Sequence, residues 1–209
     1  MHIELTEMLR CPEPHPAAFL VMSTGEMLGR MVRSGVMGCP MCRREYPIRN
    51  GVVEFSGHGP PARGGDAPPL AARGTRARAP AVDPQTLQAL LDLGGPGGYV
   101  VLVGAATRHA VGLAGLMGGI HFVGINPPGD IDELPVLSLL VCEAMIPLRD
   151  AMARAAVVGP DRLEAPWLAE AQRIVLRGRR VVVEDAAVVW PAGLTPLAAG
   201  EGLSVGERR

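Results

Sequence analysis

The chain has 209 residues, 48% of them hydrophobic, and a net charge of −1; its 20 basic residues are all arginine. That is enough chain for one ordinary domain plus a small one, and enough apolar content for a core. The absence of lysine excludes Schiff-base chemistry and a P-loop, while 3% aromatic content and no net basic balance make nucleic acid an unexpected partner.

Residues 1–55 read as a small unit. Residues 3–10 predict one or two helical turns, residues 19–22 and 27–32 a hairpin, and Cys39-Pro-Met-Cys42 a knuckle, because two thiolates three positions apart reach one tetrahedral metal from a tight turn. Residues 1–10 mix charged and apolar side chains, unlike a signal peptide, so the expected location is cytoplasmic and the four cysteines are read as ligands or core rather than disulfides. Cys11 is the third ligand and His15 is chosen as the fourth, with Glu13, His2 and His58 as the competing donors. A 55-residue unit buries little apolar surface, and structural Zn2+ compensates for that.

Residues 56–82 are rich in Pro, Gly, Ala and Arg and read as a flexible linker. Its Arg63, Arg73, Arg76 and Arg78 outnumber Asp66, which leaves a weak opening for RNA. The second domain, residues 83–197, begins with a helix capped by Asp83 and Pro84. Residues 99–126 then predict strand, small-residue turn, helix and strand, the opening of a doubly wound α/β sheet whose ligand would sit over the first turn. Further strands are expected at residues 136–141, 155–158 and 180–184, with a helix from Asp161 to about residue 176. The expected sheet order is 3-2-1-4-5, without full sixth and seventh strands. Residues 187–190, or another chain, would cover the last edge, and residues 198–209 are expected to fray. No apolar run reaches the roughly 18 residues of a membrane helix.

Two resemblances sharpen this reading. Around Cys11 and in CPMCRREYPIRNGVVEF, residues 39–55, the sequence resembles the small zinc-binding activator subunits of tRNA methyltransferases, with Met8, Leu9, Cys11, Pro12, Cys39, Cys42, Arg44, Tyr46, Pro47, Ile48, Gly51 and Val52 at matching places. Pro14 stands where that family has its second cysteine, and His15 is the adjacent substitute. Residues 99–184 resemble class I methyltransferases that use S-adenosylmethionine, through VVLVGAATRH, FVGINPP, CEAMIPLRD and LAEAQRIVLRGRRVVVE.

The second resemblance implies a cofactor site at Gly104, Thr107 and Asn126, but in degenerate form. Ala105, Ala106 and Arg108 replace glycines of the turn, Asn126 replaces the ribose-binding acid, and Val103, Cys142 and Arg154 stand where acids are usual. No catalytic residue is assigned. The expectation is a small zinc-ribbon-like module joined to a truncated Rossmann-like domain, serving as a scaffold with a protein partner or self-association. The alternative is a divergent methyltransferase whose substrate is presented by the zinc module. Cys142 with His109 or His121, and Asp130 with Asp132 and Glu133, are weaker candidates for a nucleophile and a cation site.

Overall fold

In the computed structural model, which describes residues 1–56, 82–131 and 134–209, the expected doubly wound unit is present. Strand β7 (Tyr99–Val103) runs into a 3-10 turn over Gly104–His109 and helix α2 (Ala110–Leu116), and β8 (His121–Ile125) returns parallel to it. With β9 (Leu137–Val141), β10 (Ala153–Val158) and β11 (Val175–Val183) the parallel order is β9-β8-β7-β10-β11, the expected 3-2-1-4-5.

β7, β8, β9 and β10 are apolar at nearly every position because both faces are covered, whereas β11 carries Arg177, Arg179 and Arg180 in its less buried middle. On one face Val100, Leu102, Phe122 and Val157 meet Leu87 and Leu91 of α1 (Pro84–Leu91) and Leu113 of α2. On the other, Val101, Val123, Ala156 and Val181 meet Leu168, Ala171 and Ile174 of α3 (Ala165–Ile174) together with Leu5, Leu9 and Ile146. At eight residues α1 is shorter than the roughly 12–15 an isolated helix needs, so its buried leucines hold it. Asp83 supplies the expected cap, accepting from the Thr86 N–H at 2.9 Å. α3 starts later than expected, at Ala165, because Asp161 is engaged elsewhere.

The N-terminal unit contributes β1 (Val21–Thr24), β2 (Met27–Leu28), β3 (Met31–Val32), β4 (Gly35–Gly38), β5 (Glu45–Arg49) and β6 (Val52–Glu54). The expected hairpin between residues 19–22 and 27–32 does not form. β1 instead pairs antiparallel with β4, and β2 and β3 make a separate two-stranded ribbon within the connecting loop, which is closed where the Gly25 N–H donates to the Ser34 carbonyl. β6 then lies parallel to β9, and at the far end the chain adds β12 (Leu194–Gly200) and β13 (Leu203–Arg208). The sheet therefore runs on as eleven strands, β1-β4-β5-β6-β9-β8-β7-β10-β11-β13-β12. The seam is tied again where Arg10 N–H donates to the Pro147 carbonyl and Arg149 N–H to that of Met8. The expected linker lies, at residues 57–81, outside the described residues.

Three expectations at the C-terminal end are corrected. β12 and β13 exist, and it is β13, antiparallel to β11, that covers the Val181–Val183 edge. Residues 187–190 form no strand; Trp190 packs over Gly206 instead. The tail does not fray because Glu201 and Gly202 both take positive φ, 52° and 79°, the conformation of a tight hairpin turn. Leu203, Ser204 and Val205 are thereby buried, and the Arg208 guanidinium donates to the carbonyls of Arg173 and Val175. Among the described residues no helix is long and apolar enough to cross a membrane.

Candidate functional site

Cys11, His15, Cys39 and Cys42 converge, their ligand atoms all lying within 4.8 Å of one another. The knuckle forms where β4 ends: the Cys39 N–H donates to the Arg44 carbonyl at 2.8 Å, and the Arg43 N–H returns to the Cys39 carbonyl at 2.9 Å. Arg43 takes φ 60° to close this turn. On the other side the Cys11 N–H donates to the Ala18 carbonyl, bending residues 11–18 into a loop, and an Arg44–Glu13 ion pair at 3.1 Å joins the two halves.

The spacing of the donors suits a tetrahedral ion. Zn–S bonds of about 2.3 Å put two tetrahedral sulfurs about 3.8 Å apart, and a sulfur and an imidazole nitrogen about 3.5 Å apart. Here Cys11 Sγ lies 3.7 Å from Cys42 Sγ, and Cys39 Sγ 3.4 Å from His15 Nε2. His15 Nδ1 is 2.7 Å from the Pro16 carbonyl oxygen; a carbonyl only accepts, so the neutral ring carries its proton on Nδ1 and presents the Nε2 lone pair to the sulfurs. The Tyr46 hydroxyl lies 3.1 Å from Cys11 Sγ, placed to donate to a thiolate. Burial pushes the Cys39 thiol up, but the N–H groups of Cys42 and Met41 outweigh it and bring the pKa down to about 7, while burial pushes Cys11 up to about 11. Glu13 and His2 are not in the cluster, and His58 lies outside the described residues.

The three residues implied as a cofactor site lie at the carboxyl ends of β7 and β8, each occupied within the chain. Gly104 takes φ 63°, and a Cβ there would meet the Asp161 carboxylate at 2.4 Å. That carboxylate accepts from the Ala105 N–H at 2.7 Å, so the turn's outward amide already holds an anion. Gly159 brings the loop after β10 against the same turn: a Cβ on it would meet the Ala106 nitrogen at 2.7 Å. Thr107 is buried and donates to the Leu102 carbonyl. Asn126, at φ 50°, donates through Nδ2 to the Cys142 carbonyl and accepts at Oδ1 from the Cys142 N–H, both at 2.9 Å.

Other sequence candidates separate. Cys142 is buried and pushed up to about 12 by burial, His109 pairs with Glu184, and His121 lies at the amino end of β8, 2.9 Å from Ser138 Oγ. These three do not meet as nucleophile and base. Asp130 is held by Arg108 at 2.9 Å, and Asp132 and Glu133 lie outside the described residues. Arg154, at a position where an acid is usual, closes the glycine-rich loop before β7 by donating to the carbonyls of Gly94, Gly95, Pro96 and Gly97. Sequence reasoning missed Asp161 and Glu184. The Gly-Pro-Asp string at residues 159–161 was the available signal, and as a helix cap it read just as well.

The fold is mixed α/β, one large sheet whose six central strands, β6-β9-β8-β7-β10-β11, are parallel and whose flanking strands are antiparallel. No family model and no curated protein matches the sequence. Among solved structures, a geranyl diphosphate methyltransferase in complex with sinefungin is 19% identical, with 48% of this chain and 42% of that chain covered and a TM-score of 0.41. The same type of enzyme in complex with SAM gives 12% identity, 62% and 85% coverage and a TM-score of 0.45. The complex of the Haloferax volcanii Trm112 methyltransferase activator with a putative methyltransferase gives 20%, 48%, 50% and 0.39. The chain thus spans less than half the length of the first of these enzymes.

Proposed function

We propose that this protein is a methyltransferase-like interaction protein, held together by a structural Zn2+ on Cys11, His15, Cys39 and Cys42, that has given up S-adenosylmethionine. The observation that carries the reading is the Asp161 carboxylate seated on the Ala105 amide over Gly104. A cofactor carboxylate approaching that amide meets like charge, and its ribose meets an Asn126 side chain already bonded twice to Cys142. Losing a charge-assisted contact removes roughly 1.5–3 kcal/mol, and two such losses weaken binding about a hundredfold or more. The zinc fits the donor set: three thiols and an imidazole nitrogen oriented by its own backbone contact, closed by four protein ligands and so structural rather than catalytic.

Titration calorimetry with S-adenosylmethionine tests the reading, and no heat is expected at micromolar cofactor. Micromolar binding would favour the alternative, a divergent methyltransferase. The observation on that side is the strand set, which β12 and β13 extend beyond the five expected strands.

A further inference from the structure

The three sulfurs of the corner are not equally protected. Cys11 and Cys39 are buried, whereas Cys42 is exposed, beside a Met41 that is itself 60% exposed. Cys39 Sγ takes the N–H groups of Cys42 and Met41 and lies 3.4 Å from His15 Nε2, while Cys11 Sγ has the Tyr46 hydroxyl at 3.1 Å. Cys42 is therefore the sulfur a small solute reaches first, and Cys11 Sγ lies 3.7 Å from it. A disulfide of about 2.05 Å needs that pair to close by about 1.7 Å, a movement open to the exposed tip of the knuckle. A metal-bound cysteine is held as thiolate, and thiolate character together with exposure sets susceptibility to oxidation. The fourth thiol, Cys142, is buried just beyond β9.

We propose that the corner is an oxidation site for hydroperoxides, at which Cys42 is oxidised first and Cys11 closes a disulfide on it, freeing the metal. The Cys42 thiolate attacks one peroxide oxygen: an S–O bond forms, the O–O bond breaks, and the leaving hydroxide takes a proton from solvent to become water. Sulfur is oxidised to the sulfenic acid and the peroxide is reduced. The Cys11 thiolate then attacks the sulfenic sulfur. The S–S bond forms, the S–O bond breaks, and the departing hydroxide is protonated to a second water. Cys39 and His15 are left as one thiolate and one imidazole, too few donors for a closed tetrahedral site. The new bond ties the loop of residues 11–18 to the knuckle, so the change is local, and a dithiol with Zn2+ reverses it. The release rests on the zinc reading above; the disulfide does not.

Hydrogen peroxide added to the full chain tests it, with zinc content measured beforehand, released Zn2+ followed by a chelating dye, and disulfides mapped by peptide mass spectrometry. About one Zn2+ per chain should leave as a Cys11–Cys42 bridge forms, while Cys142 stays reduced. A dithiol with added Zn2+ should restore both thiols and the metal. Cys42→Ser, checked for its fold by circular dichroism, should leave Cys11 reduced at a dose that bridges the wild type. A bridge between Cys39 and Cys42 would overturn the proposal, as would first oxidation at Cys142, Cys11 oxidised in Cys42→Ser, or a wild type that keeps its zinc and its Cys42 thiol in excess peroxide. Wild type purified without zinc would count against the metal reading alone, and the same mapping of Cys11 to Cys42 would still decide the thiol chemistry.

Discussion

The cysteine corner and the crevice over β7 are both turns whose backbone N–H groups point at a centre, yet they differ in what the centre holds. At the corner, Cys11, His15, Cys39 and Cys42 aim their donor atoms at one another, with spacings that suit an ion. In the crevice the groups implied for a cofactor have partners from the same chain: Ala105 has Asp161, Asn126 has Cys142, Thr107 has Leu102. A site is legible in the donors left over once the fold has satisfied the rest, and residue type at the expected position does not show that.

The largest effect should come from emptying the corner. Cys39→Ala, or chelation of the wild type, removes a site expected to hold about one zinc per chain and to contribute on the order of 10 kcal/mol. Because β6 is hydrogen-bonded to β9 and Cys11 and Cys39 belong to the same core as Val123 and Leu140, thermal unfolding should then shift for the whole sheet. Calorimetry combined with elemental analysis checks this; an unchanged melt in metal-free protein would make the corner a set of ordinary thiols.

A second effect probes the seam between the two regions by pH. Burial holds His121 down to about 4 from 6.5, helped by the nearby His2 and the amino terminus, and the His2 ring lies 4.7 Å from it. With the folded pKa depressed, protons bind preferentially to the unfolded chain. The His121 contribution to stability is therefore constant above about pH 6.5 and falls between 6.5 and 4, by at most about 1.4 kcal/mol per pH unit. Chemical denaturation across that window should show the slope, and His121→Gln should flatten it.

Within the crevice, restoring the acid at Asn126 should fail. In Asn126→Asp the new carboxylate would face the Cys142 carbonyl with an acceptor where Nδ2 now donates, at a cost of about 1–3 kcal/mol, without displacing Asp161. This variant should thus melt earlier and still give no heat with S-adenosylmethionine; binding by it would show that the loss of the acid alone had closed the crevice. A comparable effect is expected at Gly104. Gly104→Ala meets both φ 63° and the Asp161 carboxylate, a loss of about 1–2 kcal/mol from the left-handed backbone plus the clash. Adding Asp161→Ala should recover only part of the clash, since the added Cβ still lies 2.8 Å from Arg162 Cγ, and none of the backbone share, which denaturation of the single and double variants resolves.

The sequence by itself determined the features whose geometry is short-range. Apolar runs broken by glycine specify β7, α2 and β8 in order, Asp83 with Pro84 starts α1, and CPMC bends into a knuckle, all from contacts within a few residues. Only the tertiary structure decided what those elements meet. β6 pairs with β9 across 87 residues, β13 covers β11, and the Asp161 carboxylate reaches an amide 56 residues away. Spacing in the chain encodes the turn, but strand edges and side-chain polar groups choose their partners in space, where Asp161 could equally have capped α3.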